Sequence, residues 1–250
     1  MKNDIVEKLD NKDIKVICFD ELDSTSTFLR QQLNCGETGC MLAVAKKQTA
    51  GRGRNGKSFY SPENSGLYMS LLLHPNCRIA DAVGITTCVS VAVSRAIEKV
   101  TGKSVGIKWV NDLYVENKKV CGILCEAVND YKLGITKSVI IGVGINLSTT
   151  DFPEDIKSTA GSLGVEADCM AELCAEIANA LFSLDFGGIS ETVLEEYRAK
   201  SVVIGKDISY FVNGQKFTAR AISIDNSGGL VVECDGATKT LSSGEITVRF

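Results

Sequence analysis

Gly51-Arg52-Gly53-Arg54-Asn55-Gly56-Lys57-Ser58 fits two phosphate-binding patterns at once. Read one way it is the G-x-x-x-x-G-K-S of a P-loop; read another, it is the G-x-G-x-x-G turn of a dinucleotide fold. Both readings require a helix to start at the glycines, because helix N-terminal N–H groups and their partial positive charge hold the phosphate. The residues that follow, Phe59-Tyr60-Ser61-Pro62-Glu63-Asn64-Ser65-Gly66, break any helical run, and Leu67-Tyr68-Met69-Ser70-Leu71-Leu72-Leu73 then reads as a strand. The acidic residue that a ribose hydroxyl needs about 20 residues on is missing too, since Leu71 to Asn76 contains no Asp or Glu. The segment is a flexible, strongly basic glycine loop between two strands, and the fold is neither a P-loop nor a Rossmann fold.

Upstream of the loop, Lys15-Val16-Ile17-Cys18-Phe19-Asp20 and Met41-Leu42-Ala43-Val44-Ala45 read as strands. Between them lies a helix that Asp23-Ser24-Thr25-Ser26 caps and that carries Phe28, Leu29 and Leu33. Downstream, Val83, Thr86, Val89, Val93, Ile97 and Val100 keep helical spacing from Asp81 to Val100, and Thr101-Gly102 stops the run. Val105 to Val115 and Val120 to Val128 are β-rich runs joined at Glu116-Asn117-Lys118-Lys119 as a hairpin, which sets Asp112 opposite Gly122 and Val115 opposite Lys119. Ser138 to Leu147 is a further strand, and an amphipathic helix with Leu173, Ile177, Leu181 and Leu184 on one face runs from about Asp168 to Asp185. After a helix over Ser190 to Lys200 the texture changes to short alternating strands, with Asn213-Gly214 and Asp235-Gly236 as hairpin signals, so the tail reads as a small all-β barrel. The fold class expected is α+β: a mixed β-sheet domain flanked by helices over residues 1–201, then the barrel over 202–250.

With 250 residues, 44% of them hydrophobic, the chain can bury a full core. Its net charge of −4 argues against a general nucleic-acid binder, whereas a local basic loop in an acidic protein suits a small anionic substrate. No apolar run reaches the length of a membrane span, and Met1-Lys2-Asn3-Asp4 followed by Glu7-Lys8-Leu9-Asp10 is no signal peptide, so neither membrane nor nucleic acid is expected as a partner and the location expected is cytoplasmic. The ten cysteines lie in apolar runs such as Val120-Cys121-Gly122-Ile123-Leu124-Cys125, the placement of small buried thiols in a reducing compartment. With no C-x-x-C and a single histidine, His74, a structural metal is not expected.

Three further segments carry unusual side chains: Lys108-Trp109-Val110-Asn111-Asp112, Lys119-Val120-Cys121-Gly122-Ile123-Leu124 and Gly142-Val143-Gly144-Ile145-Asn146. Together with the glycine loop they resemble, in order, the GRGRxG, KWPND, KxxGIL and GxGIN motifs of biotin protein ligases. Asp23-Ser24-Thr25, Gln48 and Ser61-Pro62 also match, and Ser243-Gly244-Glu245-Ile246-Thr247-Val248-Arg249 resembles the end of the family's SH3-like domain. The likeness runs from about residue 17 to the C-terminus. The chain departs from the pattern at Val110, where the family has proline, and at Ser26, where many relatives carry asparagine. Because it begins almost at the first catalytic strand, with no room for the helix-turn-helix domain of the repressor relatives, it looks like the monofunctional type.

The resemblance implies ATP-dependent ligation of biotin, through biotinyl-5′-AMP, to a lysine of a biotin carboxyl carrier domain, with Mg²⁺ assisting and homodimerisation left open. It implies Arg52 and Lys119 as the catalytic cations. Ser24, Thr25, Ser26, Gln48, Gly51, Arg52, Gly53, Arg54, Lys119 and Gly122 are implied around biotin; Arg54, Lys108, Trp109, Asn111, Asn146 and Arg249 around the nucleotide; Asp112 near Mg²⁺. Lipoate or octanoate transfer to a carrier lysine, and a non-catalytic biotin- or nucleotide-responsive regulator, are the alternative readings. Each residue has a plainer role open to it: Lys118-Lys119 as an exposed turn, Ser24 and Thr25 as a helix cap, Trp109 as core, Gly142 and Gly144 as close packing.

Overall fold

The computed structural model describes residues 1–250 apart from 81–83, 213–214, 235, 243, 245 and 249–250. Asp81, Val83, the Asn213-Gly214 turn, Asp235, Ser243, Glu245 and Arg249 therefore lie outside the described residues. The chain starts with a helix that periodicity did not reveal, α1 (Lys2–Lys8), too short to show an apolar stripe although its Ile5 is fully buried. Next, β1 (Lys15–Leu22) and β2 (Met41–Gln48) pair in parallel, because α2 (Thr25–Asn34) carries the chain back between them. Ser24 caps α2 as its sequence predicted, its side chain accepting from the Thr27 amide.

After the glycine loop come β3 (Gly66–Leu73), the short β4 (Cys77–Arg78), α3 (Ile85–Thr101), β5 (Gly106–Lys108), β6 (Asp112–Val115), β7 (Lys118–Asp130) and β8 (Ile135–Asn146). They extend the sheet in the order β1-β2-β3-β8-β7-β6-β5, with β4 on β8. Every pairing beyond β1 and β2 is antiparallel, so the sheet is mixed. Strand alternation divides the core between its faces. Met41, Ala43, Leu72 and Ile140 pack under Leu29 of α2 on one face, while Leu42, Val44, Leu71, Ile141 and Val143 join the large cluster under α3 and α4 (Met170–Phe182) on the other.

Two details correct the sequence reading. The run 105–115 is not one strand: it turns back at Trp109-Val110-Asn111, so that Lys108 pairs with Asp112, and the Trp109–Val110 peptide is cis. In the next hairpin Asp112 faces Gly122 as expected, but a β-bulge on β7 brings Tyr114 opposite Lys119 and Val115 opposite Lys118, not Lys119. The added residue is Val120, whose side chain is fully buried, so core packing takes up the position that regular pairing would have used. The helix expected over 168–185 begins as a 3-10 turn, Ala167–Cys169, and ends at Phe182; α5 (Glu191–Lys200) follows, capped by Ser190.

The tail forms β9 (Asp207–Val212), β10 (Gln215–Ile224), β11 (Leu230–Cys234), β12 (Ala237–Leu241) and β13 (Ile246–Val248), ordered β12-β11-β10-β9-β13. Among the described residues no ladder joins β12 to β13, so the expected barrel is an antiparallel sheet open along that seam. It shares one apolar cluster with the large sheet, and the Trp109 indole N–H donates to Gly228 O across the join at 2.9 Å. Among the described residues no helix is long and apolar enough to cross a membrane.

The turn at Trp109 is held from behind. Tyr197, fully buried, donates its hydroxyl to Val110 O at 3.1 Å; Ser90 Oγ also lies 3.3 Å from that carbonyl, but its one proton has a nearer acceptor in Thr86 O at 2.8 Å. With the single Ser90 proton directed to Thr86 O, Tyr197→Phe leaves the Val110 carbonyl short of a donor and should cost about 2 kcal/mol, read as a fall of about 4–8 °C in Tm; an unchanged Tm would show that the hydroxyl contributes nothing there.

Candidate active site

Period-2 alternation places Ser70 of β3, Gly142 and Gly144 of β8, and Gly122, Leu124 and Glu126 of β7 on the α2 face of the large sheet, just past the N-terminus of α2. Where α2 ends, glycines replace the side chains that would fill the space. Gly122 and Gly144 face one another across β7 and β8. A Cβ on Gly144 would stand 2.6 Å from Phe59 Cε1, one on Gly122 3.1 Å from Phe59 Cε2, and one on Gly142 2.7 Å from Ser26 Oγ. These glycines are close-packing positions, as one reading of the sequence had it, and what they accommodate is the wall of a cleft.

One end of the cleft is lined with hydroxyl and amide groups. Thr25 donates from its amide and its hydroxyl to Gln48 Oε1 at 2.9 and 3.2 Å, and its Oγ1 lies 2.7 Å from Ser70 Oγ, which in turn lies 2.9 Å from Ser26 Oγ. Gln48 is oriented by donating from Nε2 to Ser61 Oγ at 2.9 Å. Ser24, Thr25 and Ser26 are all buried, so this cluster is a fixed polar surface rather than a solvated edge.

The other end is cationic. Lys119 Nζ lies 2.6 Å from Asp112 Oδ1, and Lys108 Nζ lies 5.7 Å from the centroid of the Tyr114 ring. Lys119 is not the loose turn residue that paired lysines suggest: its amide donates to Thr159 O at 2.8 Å and its carbonyl accepts from the Gly161 amide at 2.9 Å, so residues 159–161 run along it. Arg54 donates to Asn111 Oδ1 at 3.2 Å, and Asn111 Nδ2 donates to Ile123 O at 2.7 Å. Arg52 grips Glu126 with two bonds of 2.9 Å.

The glycine loop is not irregular. It closes as a narrow hairpin, with the Phe59 amide donating to Gly51 O at 2.8 Å and the Gly53 amide to Lys57 O at 2.7 Å. Arg54–Gly56 make a single 3-10 turn with Asn55 and Gly56 at φ of 55° and 74°, and no α-helix follows, as the phosphate-loop test required. A Cβ on Gly51 would stand 2.4 Å from Phe59 O, so this glycine sets the loop's base.

Of the residues singled out from sequence, Ser24, Thr25, Ser26, Gln48, Arg52, Gly53, Arg54, Lys108, Trp109, Asn111, Asp112, Lys119 and Gly122 line this cleft. Gly51 lies under the loop. Asn146 is behind it, donating to Gly161 O at 2.9 Å, with its own Oδ1 buried and unpartnered. Sequence reading passed over Phe59, Ser70 and Glu126; strand alternation from Gly142 through its neighbours was a signal for Ser70 and Glu126, and nothing local marked Phe59.

The arrangement offers anion binding without a nucleophile. Burial pushes the Cys125 thiol up to about 12 and Cys88 up to about 11, so both stay protonated near neutral pH. His74 bonds to Ser138 Oγ and Gly39 O, away from the cleft. Among the described residues no three His, Cys, Asp or Glu side chains gather as a metal site. What remains is cations that can draw a carboxylate and a polyphosphate together.

Comparison with known proteins gives this chemistry a family. Residues 18–146 match the biotin/lipoate A/B protein ligase family and residues 204–249 the biotin protein ligase C-terminal domain. The chain is 31% identical over 239 residues to the bifunctional ligase/repressor BirA of Bacillus subtilis, covering 92% of this chain and 73% of that one. It is 27% identical to the biotin--[acetyl-CoA-carboxylase] ligase of Mycobacterium tuberculosis over 82% of this chain and 78% of the other. Among solved structures, the biotin protein ligase from Aquifex aeolicus in complex with biotin and ATP superposes with a TM-score of 0.76 at 27% identity, over 94% of this chain and 98% of that one. The chain belongs to the biotin/lipoate A/B protein ligase family, within it to the biotin protein ligases, and it is an enzyme.

Proposed function

We propose that this ATP-dependent biotin protein ligase carries out two successive steps in the one cleft. In the first, a carboxylate oxygen of biotin attacks the α-phosphorus of ATP and pyrophosphate leaves, giving biotinyl-5′-AMP. In the second, the amine of a lysine on a biotin carboxyl carrier domain attacks the acyl carbon and AMP leaves. The observation that carries this reading is the pairing of a cluster of buried hydroxyls and the Gln48 amide with five cations, Arg52, Arg54, Lys57, Lys108 and Lys119, from three separate segments around one cleft. The hydroxyl end, Ser24, Thr25, Ser26 and Gln48, with Ser70, satisfies the ureido ring, which must keep its hydrogen bonds when buried. Gly51, Gly53 and Gly122 act on biotin through the wall they shape, since their missing Cβ atoms make room for Phe59 and for the loop's own backbone.

Arg52 and Lys119 hold the biotin carboxylate against the α-phosphate and offset the repulsion between two anions. Lys108 and Asn111 reach the phosphates, Trp109 walls the nucleotide, and the unpartnered Asn146 Oδ1 is an acceptor suited to an adenosine donor. Arg249 is assigned to the nucleotide by its motif position alone. Among the described residues Asp112 is the carboxylate that lines the cleft, which fits a Mg²⁺ ion that keeps most of its ligands from phosphate and water. Such an ion would neutralise phosphate charge. The catalytic unit is residues 1–201 and the SH3-like unit 202–250; ten free thiols fit a cytoplasmic location.

Mixing the protein with biotin, ATP and a carrier domain should raise the carrier's mass by one biotinyl group. A carrier that is modified equally after its acceptor lysine is replaced would refute the second step. Arg54→Gly should raise the escape of biotinyl-5′-AMP by about tenfold or more while slowing its synthesis less, because the change removes a cation and the bond to Asn111 and adds a flexible residue to the loop. Adenylate dissociation and stray labelling of bystander lysines would be measured together; an unchanged off-rate would show that Arg54 does not close the loop.

A further inference from the structure

Arg52 is placed as a biotin-carboxylate contact, yet both arms of its guanidinium are engaged by the protein's own carboxylate, Glu126, at 2.9 Å each. That two-bond fork is the geometry by which arginine takes any carboxylate, so Arg52 cannot grip Glu126 and a substrate in the same way at once. The two anchors are also apart. Glu126 pairs with Ile140 near α2, whereas Gly122, opposite Asp112 and its partner Lys119, is four residues back along β7, roughly 13 Å of strand. Arg52 is therefore drawn away from the cation with which it must bracket one carboxylate.

A third charge completes the arrangement. Arg30 of α2 lies 3.6 Å from Glu126 Oε1, the same oxygen that Arg52 Nη2 grips. Arg52 is 42% exposed and Glu126 only 19%, so the arginine can swing out while the carboxylate stays and needs a replacement partner. We infer that Glu126 is an internal competitor for Arg52: it holds the glycine loop in a resting position, the carboxylate of biotin displaces it, and Arg30 takes over Glu126 as Arg52 leaves. Glu126 and Arg30 are positioning residues, acting on biotin through Arg52. This inference rests on the assignment of Arg52 to the biotin carboxylate.

The test is biotin binding by titration calorimetry with the full chain, without ATP. Glu126→Gln should tighten biotin about fivefold, because the fraction of molecules with Arg52 available rises. It should also speed tryptic cleavage after Arg54 in protein without biotin. Arg30→Met, which leaves Glu126 no second partner, should weaken biotin by about threefold and should have no effect in the Glu126→Gln background. A simple structural role predicts the opposite sign for Glu126→Gln, so weaker or unchanged binding in that variant overturns the proposal, as does an Arg30→Met variant that binds as wild type. Arg52→Ala separates the two levels: if it binds biotin normally, the assignment of Arg52 fails, and this inference with it.

Discussion

Lys119→Ala is expected to slow biotinyl-5′-AMP formation by about a thousandfold while the protein stays folded. The effect is electrostatic. Two anions must meet in the cleft, and Lys119 is held there by backbone bonds to Thr159 O and the Gly161 amide and by its Nζ contact with Asp112, so its charge is pre-organised. A thousandfold corresponds to about 4 kcal/mol of transition-state stabilisation, more than the half-buried, solvent-reached ion pair with Asp112 contributes to folding, about 1 kcal/mol. The rate of biotin-dependent pyrophosphate release and a thermal melt, on the same sample, separate the two effects. A variant that forms adenylate at the wild-type rate would return Lys119 to the plain turn residue that paired lysines suggest.

Gly144→Val is the second large effect. Even the first added carbon would stand 2.6 Å from Phe59 Cε1, and Phe59 also packs on Gly122 across the strand pair. Strand backbone cannot retreat without breaking its ladder to β3 and β7, so the ring must move, and it moves into the cleft. Biotin affinity should fall about a hundredfold, equivalent to about 2.7 kcal/mol, with a smaller loss in Gly144→Ala that Phe59→Ala partly restores. Undiminished biotin binding by Gly144→Val would mean that the ligand lies elsewhere.

Which residues gather around the cleft could largely be read from the chain because each motif is a short, local pattern. The absence of a helix after Gly56, the cap at Ser24 and the Asp112–Gly122 pairing all follow from near neighbours. The register beyond Leu113 did not, since a bulge at Val120 is chosen by packing against the core and carries no signature of its own. Phe59 looked like any residue leaving a loop, and becomes a wall only because two glycines from distant strands meet beneath it. Alternation puts Glu126 on the face of Gly122 and Leu124, but its pairing with Arg52, 74 residues away, has no local signature. The seam that stays open among the described residues of the C-terminal sheet was equally hidden, because hairpin signals fix which strands pair in sequence and say nothing about whether the last pair closes.

Ligation through an acyl-adenylate, with biotin as the acid, is the claim on which every residue role depends. The direct measurement is to incubate the pure protein with ATP and Mg²⁺, without any acceptor, in parallel with biotin and with lipoate, and to examine the bound small molecules by mass spectrometry. The account predicts biotinyl-5′-AMP with an equal amount of pyrophosphate in the first reaction, and no adenylate in the second. Lipoyl-AMP in place of biotinyl-AMP, or biotin recovered unchanged beside intact ATP, would contradict it.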